Sequence, residues 1–384
     1  MNSRTGRLFF VSGEPSGDLH GSLILSHLKR MEPSLQTEGI GGPLMKSAGL
    51  ECLYSIEDLA VIGFVEVVKN LGHLLRVFGK IKHHLEETRP DLLILIDYPG
   101  FNVRLAEVAK AMGIRVIYFI CPQVWAWHAS RIRKIIRAID EAVVVFSFEV
   151  DIWKKAGVEV NWFGHPLVGI VESKIPVQAF RNSLGISGGP VISLLPGSRT
   201  QEIYYILPRL LTAAENILRS RPNTRFLLPL AGTIDETLVR PYLVNRNLPI
   251  IPLRGQTYEA IQASDLAIVA SGTATLETAI LGTPMIIVYQ TNWLTSILSK
   301  FLIQSPHIGL PNVLSRDKVV PEFVRWKFHP DAVAAEALSI LADKGRQDEI
   351  KTGLKRVRQS LGEKGASSRV ANHILLRLRE MSGK

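Results

Sequence analysis

Asp97 stands where an aliphatic run, Leu92-Leu93-Ile94-Leu95-Ile96, gives way to Tyr98-Pro99-Gly100-Phe101-Asn102. A carboxylate at the carboxyl end of a buried strand is the residue type and the place for a general base, and capping the next helix is its competing role. Three other segments suit an anionic ligand. In Ser12-Gly13-Glu14-Pro15-Ser16-Gly17-Asp18-Leu19-His20-Gly21, small residues let backbone N–H groups approach a ligand; the plainer reading is a tight strand-to-helix turn capped by Ser16 or Asp18. In Leu195-Pro196-Gly197-Ser198-Arg199-Thr200-Gln201-Glu202, Arg199 can grip a phosphate with paired donors above a helix dipole. In Ser271-Gly272-Thr273-Ala274-Thr275-Leu276-Glu277, a diphosphate can lie against exposed N–H groups while Glu277, one helical turn on, reaches a ribose hydroxyl pair. Together the last two segments favour a sugar-nucleotide site.

Several chemistries lack their residues. Gly13, Gly17 and Gly21 do not form the G-x-G-x-x-G dinucleotide fingerprint, and there is no G-x-x-x-x-G-K-[ST] phosphate loop. No Asp-x-Asp pair, His-Glu-x-x-His or clustered histidine set supports a divalent metal, so neither metal nor cofactor is expected. Charge on a leaving group then falls to Arg199 and the helix amino terminus. Cys52 and Cys121 are the only cysteines, which excludes a disulfide framework and fits a reducing compartment. Trp125 and Trp127, in Pro122-Gln123-Val124-Trp125-Ala126-Trp127-His128, either wall a ligand or fill core.

These residues need elements to position them. Short β-rich runs alternate with amphipathic stretches of helix length, which predicts parallel strands joined by crossover helices. Strands are expected over residues 8–12, 92–97, 115–120 and 142–146, and again over 191–195, 225–230, 266–270 and 285–289. Gly164-His165-Pro166-Leu167-Val168 and the Pro-containing stretch after it mark a boundary. The expected architecture is α/β: two Rossmann-like domains at 1–168 and 169–360 facing across a cleft, then a basic amphipathic helix at 361–384 that returns to the first domain. In such sheets ligands bind beyond the carboxyl ends of the strands.

The chain has 384 residues, 46% of them hydrophobic, with 45 Lys and Arg against 35 Asp and Glu, a net +10. Disordered, collagen-like and coiled-coil classes are excluded. Residues 1–165 carry 19 basic and 18 acidic side chains, while residues 344–384 carry 11 and four, so +7 of the excess lies at the carboxyl end. Phe64, Leu71, Leu75 and Phe78, with Val67, Val68, Leu74, Ile81 and Leu85, recur at helical spacing beside Lys69, Arg76, Lys80 and Lys82. That stretch reads either as a core helix or as one that meets a membrane interface or acyl chains. Residues 293–302 share the ambiguity. No run of 18 apolar residues spans a bilayer, and the amino terminus lacks a signal-peptide core, so a cytoplasmic location is expected.

In their order along residues 8–320, Ser16-Gly17-Asp18-Leu19-His20-Gly21, Asp97-Tyr98-Pro99, Pro122-Gln123-Val124-Trp125-Ala126-Trp127, Gly164-His165-Pro166, Leu195-Pro196-Gly197-Ser198-Arg199, Ser271-Gly272-Thr273-Ala274-Thr275-Leu276-Glu277 and Leu310-Pro311-Asn312-Val313-Leu314 closely resemble the lipid-A-disaccharide synthases. The resemblance implies an inverting GT-B glycosyltransferase of lipid A synthesis. Such an enzyme joins UDP-2,3-diacylglucosamine to 2,3-diacylglucosamine 1-phosphate as a β(1→6) disaccharide and releases UDP. It also implies peripheral attachment to the inner face of the inner membrane, with the apolar helix around Phe64, Leu71, Leu75 and Phe78 meeting lipid. By the same resemblance Ser198, Arg199, Ser271, Gly272, Thr273, Glu277 and Asn312 serve the UDP side, and Glu14, Ser16 and Asp18, with Trp125 and Trp127, the acceptor side. Family members often carry a second acid where this chain has Gly100, which leaves Asp97, then Asp18 or Glu14, as the base.

Two rivals stand beside this reading. A UDP-sugar epimerase shares the fold and the nucleotide loops but needs no lipid acceptor. A non-enzymatic reading takes the basic tail as an arm for anionic lipid or nucleic acid; its Ile374, Leu375, Leu376 and Leu378 instead suggest a docked helix, so no nucleic-acid partner is expected. The sequence leaves a homodimer open.

Overall fold

The computed structural model describes residues 6–59, 64–122, 132–244, 246–290, 307–381 and 383, with the side chains of the helix that begins at Phe64 described from residue 72 onward. The chain forms two compact units, Met1–Gly169 with Leu361–Lys384, and Ile170–Ser360.

In the first unit, strands β1 (Arg7–Ser12), β2 (Gln36–Gly41), β3 (Glu51–Ser55), β4 (Leu92–Ile96), β5 (Arg115–Phe119), β6 (Glu141–Val144) and β7 (Glu159–Trp162) form a parallel sheet in the order β3-β2-β1-β4-β5-β6-β7. All five residues of β4 are fully buried, because helices cover both faces of the sheet. Alternate residues Phe9, Val11, Leu93 and Leu95 meet Val77, Ile81 and Leu85 of α3 (Phe64–Thr88) and Phe101 and Leu105 of α4 (Pro99–Ala111). On the other face Ile96 reaches Gly17 and Gly21 of α1 (Pro15–Met31).

The carboxyl-terminal helix, α10 (Ala366–Met381), packs on α1. Its anchor is Glu141, fully buried at the start of β6, which accepts hydrogen bonds from His373, from Arg377 Nε at 3.0 Å and from Asn161 at 2.7 Å. Arg377 also pairs with Glu159, and Arg369 donates to the Phe163 carbonyl at 2.8 Å. Part of the basic excess at this end therefore holds the fold together. Burial alone would raise the Glu141 pKa, but His373, Arg377 and Asn161 outweigh it and bring the carboxyl below its ordinary value.

In the second unit, β8 (Val191–Leu195), β9 (Arg225–Leu230), β10 (Ile250–Arg254), β11 (Leu266–Ala270), β12 (Met285–Tyr289) and β13 (Glu322–Val324) form a parallel sheet in the order β10-β9-β8-β11-β12-β13. Helix α5 (Thr200–Ser220) follows β8 and α7 (Thr273–Leu281) follows β11.

In each sheet the strand order reverses once, at β1/β4 and at β8/β11. Both are topological switch points, where loops leave adjacent strand ends in opposite directions and open a crevice. Ser12 is in register with Ile96, and Leu195 with Val269. Residues 13–18 and 97–101 thus emerge side by side in the first unit, and residues 196–199 and 271–273 in the second.

Some local expectations are corrected. Helix α1 begins at Pro15 with Glu14 at the N-cap position and no side-chain cap, so neither Ser16 nor Asp18 caps it. Strands β4 and β5 stop one residue early because Asp97 and Ile120 take left-handed backbone angles, φ +49° and +54°. Trp125, Trp127 and residues 293–302 lie outside the described residues, as do the side chains of Phe64 and Leu71.

Candidate active site

The first unit's switch point is built around a strained turn. Asp97 and Tyr98 both adopt left-handed angles, φ +49° and +50°, which cost an L-residue about 1–2 kcal/mol each. Three hydrogen bonds offset that cost. Asn102 Nδ2 donates to the Asp97 carbonyl at 2.7 Å, and Tyr118 Oη donates to the same oxygen at 2.8 Å. Tyr98 Oη reaches back to the Leu59 carbonyl at 2.7 Å. Asn102 and Tyr118 are fully buried, and burial lifts the Tyr118 phenol well above its ordinary pKa, so it stays a donor. The turn therefore sets Asp97, itself half-buried, at the strand end.

Glu14 is half-buried on the neighbouring loop, and its charge adds to burial in raising the Tyr98 pKa. Ser16 is half-buried in the first turn of α1. Asp18 does something else. It is 3% exposed, and its carboxylate accepts from the backbone N–H of Gly42 at 2.8 Å, Met45 at 2.9 Å and Leu44 at 3.1 Å. It therefore caps α2 (Pro43–Ser47), a helix with no cap of its own. Gly100 sits in the exposed first turn of α4, and a Cβ there would have nothing within 4 Å. On α3, Leu75 is 56% exposed, whereas Phe78 packs edge-on against Phe101 at 5.4 Å between ring centroids.

Histidine chemistry in this unit escaped the sequence. His20, from α1, and His165, from the boundary segment, are 4% and 7% exposed, with ring centroids 6.4 Å apart. Burial depresses both pKa values, to about 4 and about 3, so both rings are neutral near pH 7.

In the second unit Arg199 is the N-cap residue of α5, and its side chain is half exposed. Glu202, one turn on, accepts from the backbone N–H of Ser198 at 2.8 Å and of Arg199 at 3.2 Å. Gly197, at φ +117°, is required here, since a Cβ would come within 2.1 Å of the Glu202 carboxylate. Two of the amides that the sequence offers to a phosphate are thus already engaged by Glu202, and the half-exposed Arg199 guanidinium lies 3.9 Å from the same carboxylate.

The second loop remains open. Gly272 and Thr273 are exposed at the amino terminus of α7, and Ser271 Oγ is tied back to the Ile308 carbonyl at 3.1 Å. Glu277 is half-buried on α7; burial raises its pKa, and a hydrogen bond from Tyr258 Oη to its Oε1 at 3.2 Å works against that rise. Asn312 is fully buried in α8 (Leu310–Ser315), where its amide donates to Val320 O at 2.8 Å and Glu322 Oε1 at 2.7 Å and accepts from Val320 N at 2.9 Å. It organises its own loop. Glu202, Tyr258, Asn102 and Tyr118 were missed in the sequence because each acts through a fold-made contact; for Glu202 alone a local signal existed, an acid at the third position of a helix.

A profile of the lipid-A-disaccharide synthetase family matches residues 8–374. A protein of Geobacter metallireducens named lipid-A-disaccharide synthase is 40% identical over 380 residues, 98% of both chains. One of the same name from Nitrosococcus oceani is 41% identical over 376 residues, 97% of this chain and 96% of its own. Solved structures agree in fold at low identity. The calicheamicin glycosyltransferase CalG4 gives a TM-score of 0.62 at 13% identity, covering 98% of this chain and 99% of its own. The UDP-GlcNAc 2-epimerase from Neisseria meningitidis bound to UDP-GlcNAc gives 0.62 at 12%, covering 97% and 100%.

Proposed function

The chain belongs to the lipid-A-disaccharide synthase family, a glycosyltransferase family, and from that premise we propose the reaction it performs. UDP-2,3-diacylglucosamine is the donor and 2,3-diacylglucosamine 1-phosphate the acceptor; the product is the β(1→6) disaccharide 1-phosphate, with UDP released. What carries this reading is the whole-chain family match, supported by the fall of the predicted loops at both switch points.

Asp97 takes the proton of the acceptor 6-hydroxyl as that oxygen attacks the anomeric carbon from the side opposite UDP. The new C–O bond forms as the bond to the diphosphate breaks, and the electron pair leaves with UDP. Arg199 and the exposed amides of residues 271–273 stabilise the departing charge, and Glu277 receives the ribose hydroxyls. Glu14 and Ser16 line the acceptor side. Asp18 supports them by fixing α2 beside α1, and Asn312 shapes the nucleotide side through its loop. Because both substrates are acylated, the enzyme works at the inner face of the inner membrane without spanning it; no helix among the described residues is long and apolar enough to cross. Leu75, exposed on α3, is offered to acyl chains.

The test is release of UDP from UDP-2,3-diacylglucosamine by the purified protein, with and without the acylated glucosamine 1-phosphate, each with and without chelator. Release that depends on acceptor and survives chelation is expected. Turnover of the donor without acceptor would favour the epimerase, and loss on chelation would overturn the metal-free mechanism.

A further inference from the structure

We propose that Tyr258 is the positioning residue of the donor site, holding the Glu277 carboxylate in the orientation in which it receives the ribose hydroxyls of a uridine diphosphate donor. This rests on the assignment of the donor to the second unit made above.

The contact is direct: Tyr258 Oη lies 3.2 Å from Glu277 Oε1. A carboxylate only accepts, so the phenol donates, and burial together with the charge of Glu277 raises the Tyr258 pKa far enough to keep that proton in place. Among the described residues Tyr258 is the one group hydrogen-bonded to this carboxylate. With one lone pair of Oε1 taken, the other lone pair and the whole of Oε2 remain, which suits a neighbouring pair of hydroxyls. An untethered glutamate would have to freeze its rotamers on binding.

The support behind Tyr258 is rigid. It lies on α6 (Thr257–Gln262), where Ala260 and Ile261 are fully buried. Ser193 Oγ, from β8, donates to the Ala260 carbonyl at 3.0 Å, and Thr283 Oγ1 donates to the Ile261 carbonyl at 2.8 Å. Two short side-chain bonds thus pin the helix that aims the phenol. Other elements packed on α7 do not compete. The buried face of α9 (Lys344–Ser360) is Ile350, Gly353, Leu354 and Val357, and the Asn312 amide of α8 is committed to Val320 and Glu322. Glu259, the next residue of α6, accepts instead from the Lys174 backbone N–H.

The experiment is a double-mutant cycle on the full chain, read by calorimetric binding of UDP and by steady-state kinetics. Tyr258→Phe is expected to weaken UDP binding and raise the donor KM by about five- to tenfold, the net worth of one intramolecular hydrogen bond, with kcat retained. In a Glu277→Ala background the same substitution is expected to change neither. Equal losses in both backgrounds would mean that Tyr258 merely supports packing, and would overturn the proposal. So would unaltered binding in Tyr258→Phe beside weakened binding in Glu277→Ala, which would leave the ribose assignment standing. Unaltered UDP binding in Glu277→Ala would overturn that assignment and the proposal with it.

Discussion

The ring of Tyr98 lies against Gly13: a Cβ on that glycine would come within 2.4 Å of two ring carbons. One residue belongs to the loop after β1 and the other to the loop after β4, so this contact sets how closely the two loops of the first switch point approach. Gly13→Ala is expected to push the phenol off its bond to Leu59 and to destabilise the protein by about 1–3 kcal/mol. A thermal melt checks it, and a melt equal to the parent's would mean the ring has room to move.

Asp97→Asn keeps the shape of the side chain and removes its basicity. Turnover is expected to fall about 10²- to 10⁴-fold while the donor KM holds. Near-normal turnover would pass the base to Glu14. Gly100→Asp offers a complementary measurement: the side chain enters open space at the start of a helix, where an acid is favoured, so stability is expected to rise by about 0.5–1 kcal/mol.

Asp18→Ala strands three backbone amides, those of Gly42 and Met45 in buried bonds, and removes the cap of α2. A loss of about 1–3 kcal/mol is expected in urea denaturation. The Michaelis constants of the folded fraction should stay within about twofold of the parent's, as they would not if Asp18 touched the acceptor.

Acid sensitivity follows from the buried imidazoles. The folded-state pKa of His20, about 4, lies below its ordinary 6.5. Its contribution is therefore fully present above 6.5 and is lost as pH falls toward 4, amounting to roughly 3 kcal/mol over that window. His165, depressed to about 3, adds in the same direction. His20→Leu is expected to flatten the dependence of stability on pH between 6.5 and 4, measured by urea titration; an unchanged slope would show that the ring titrates normally.

Arg377→Ala leaves Glu141 buried with one cation fewer. A loss of about 1–3 kcal/mol is expected in urea denaturation, because the buried carboxylate loses a charged partner while His373 and Asn161 still hold it. Arg377→Ala/Glu141→Leu, which removes both charges, should recover much of it.

The central strands were legible because burial on both faces writes itself as an unbroken aliphatic run, as at residues 92–96 and 266–270. Strands away from the centre were not: β2 reads Gln-Thr-Glu-Gly-Ile-Gly, β7 reads Glu-Val-Asn-Trp, and β13 has three residues. Such segments are strands because a neighbour offers them a ladder, not because of their own composition. The same division runs through the candidate site. Loops at strand ends announce themselves by glycine, proline and small residues. Asp18 and Asn312 look alike in sequence to ligand-binding residues, yet each carries backbone contacts to a segment distant by 24 or by eight positions. Distances of that kind are set by the fold alone.

The order of synthesis gives α10 one more consequence. The first unit is completed by residues 361–384, so the second unit lies between its two pieces. On the ribosome, the sheet that carries Asp97 waits for its last layer until the entire neighbouring unit has emerged, with the α1 surface uncovered and Glu141 lacking His373 and Arg377. A premature stop near residue 360 would therefore damage the unit that is translated first, and a chaperone would meet its most exposed client surface at the amino-terminal end of the nascent chain.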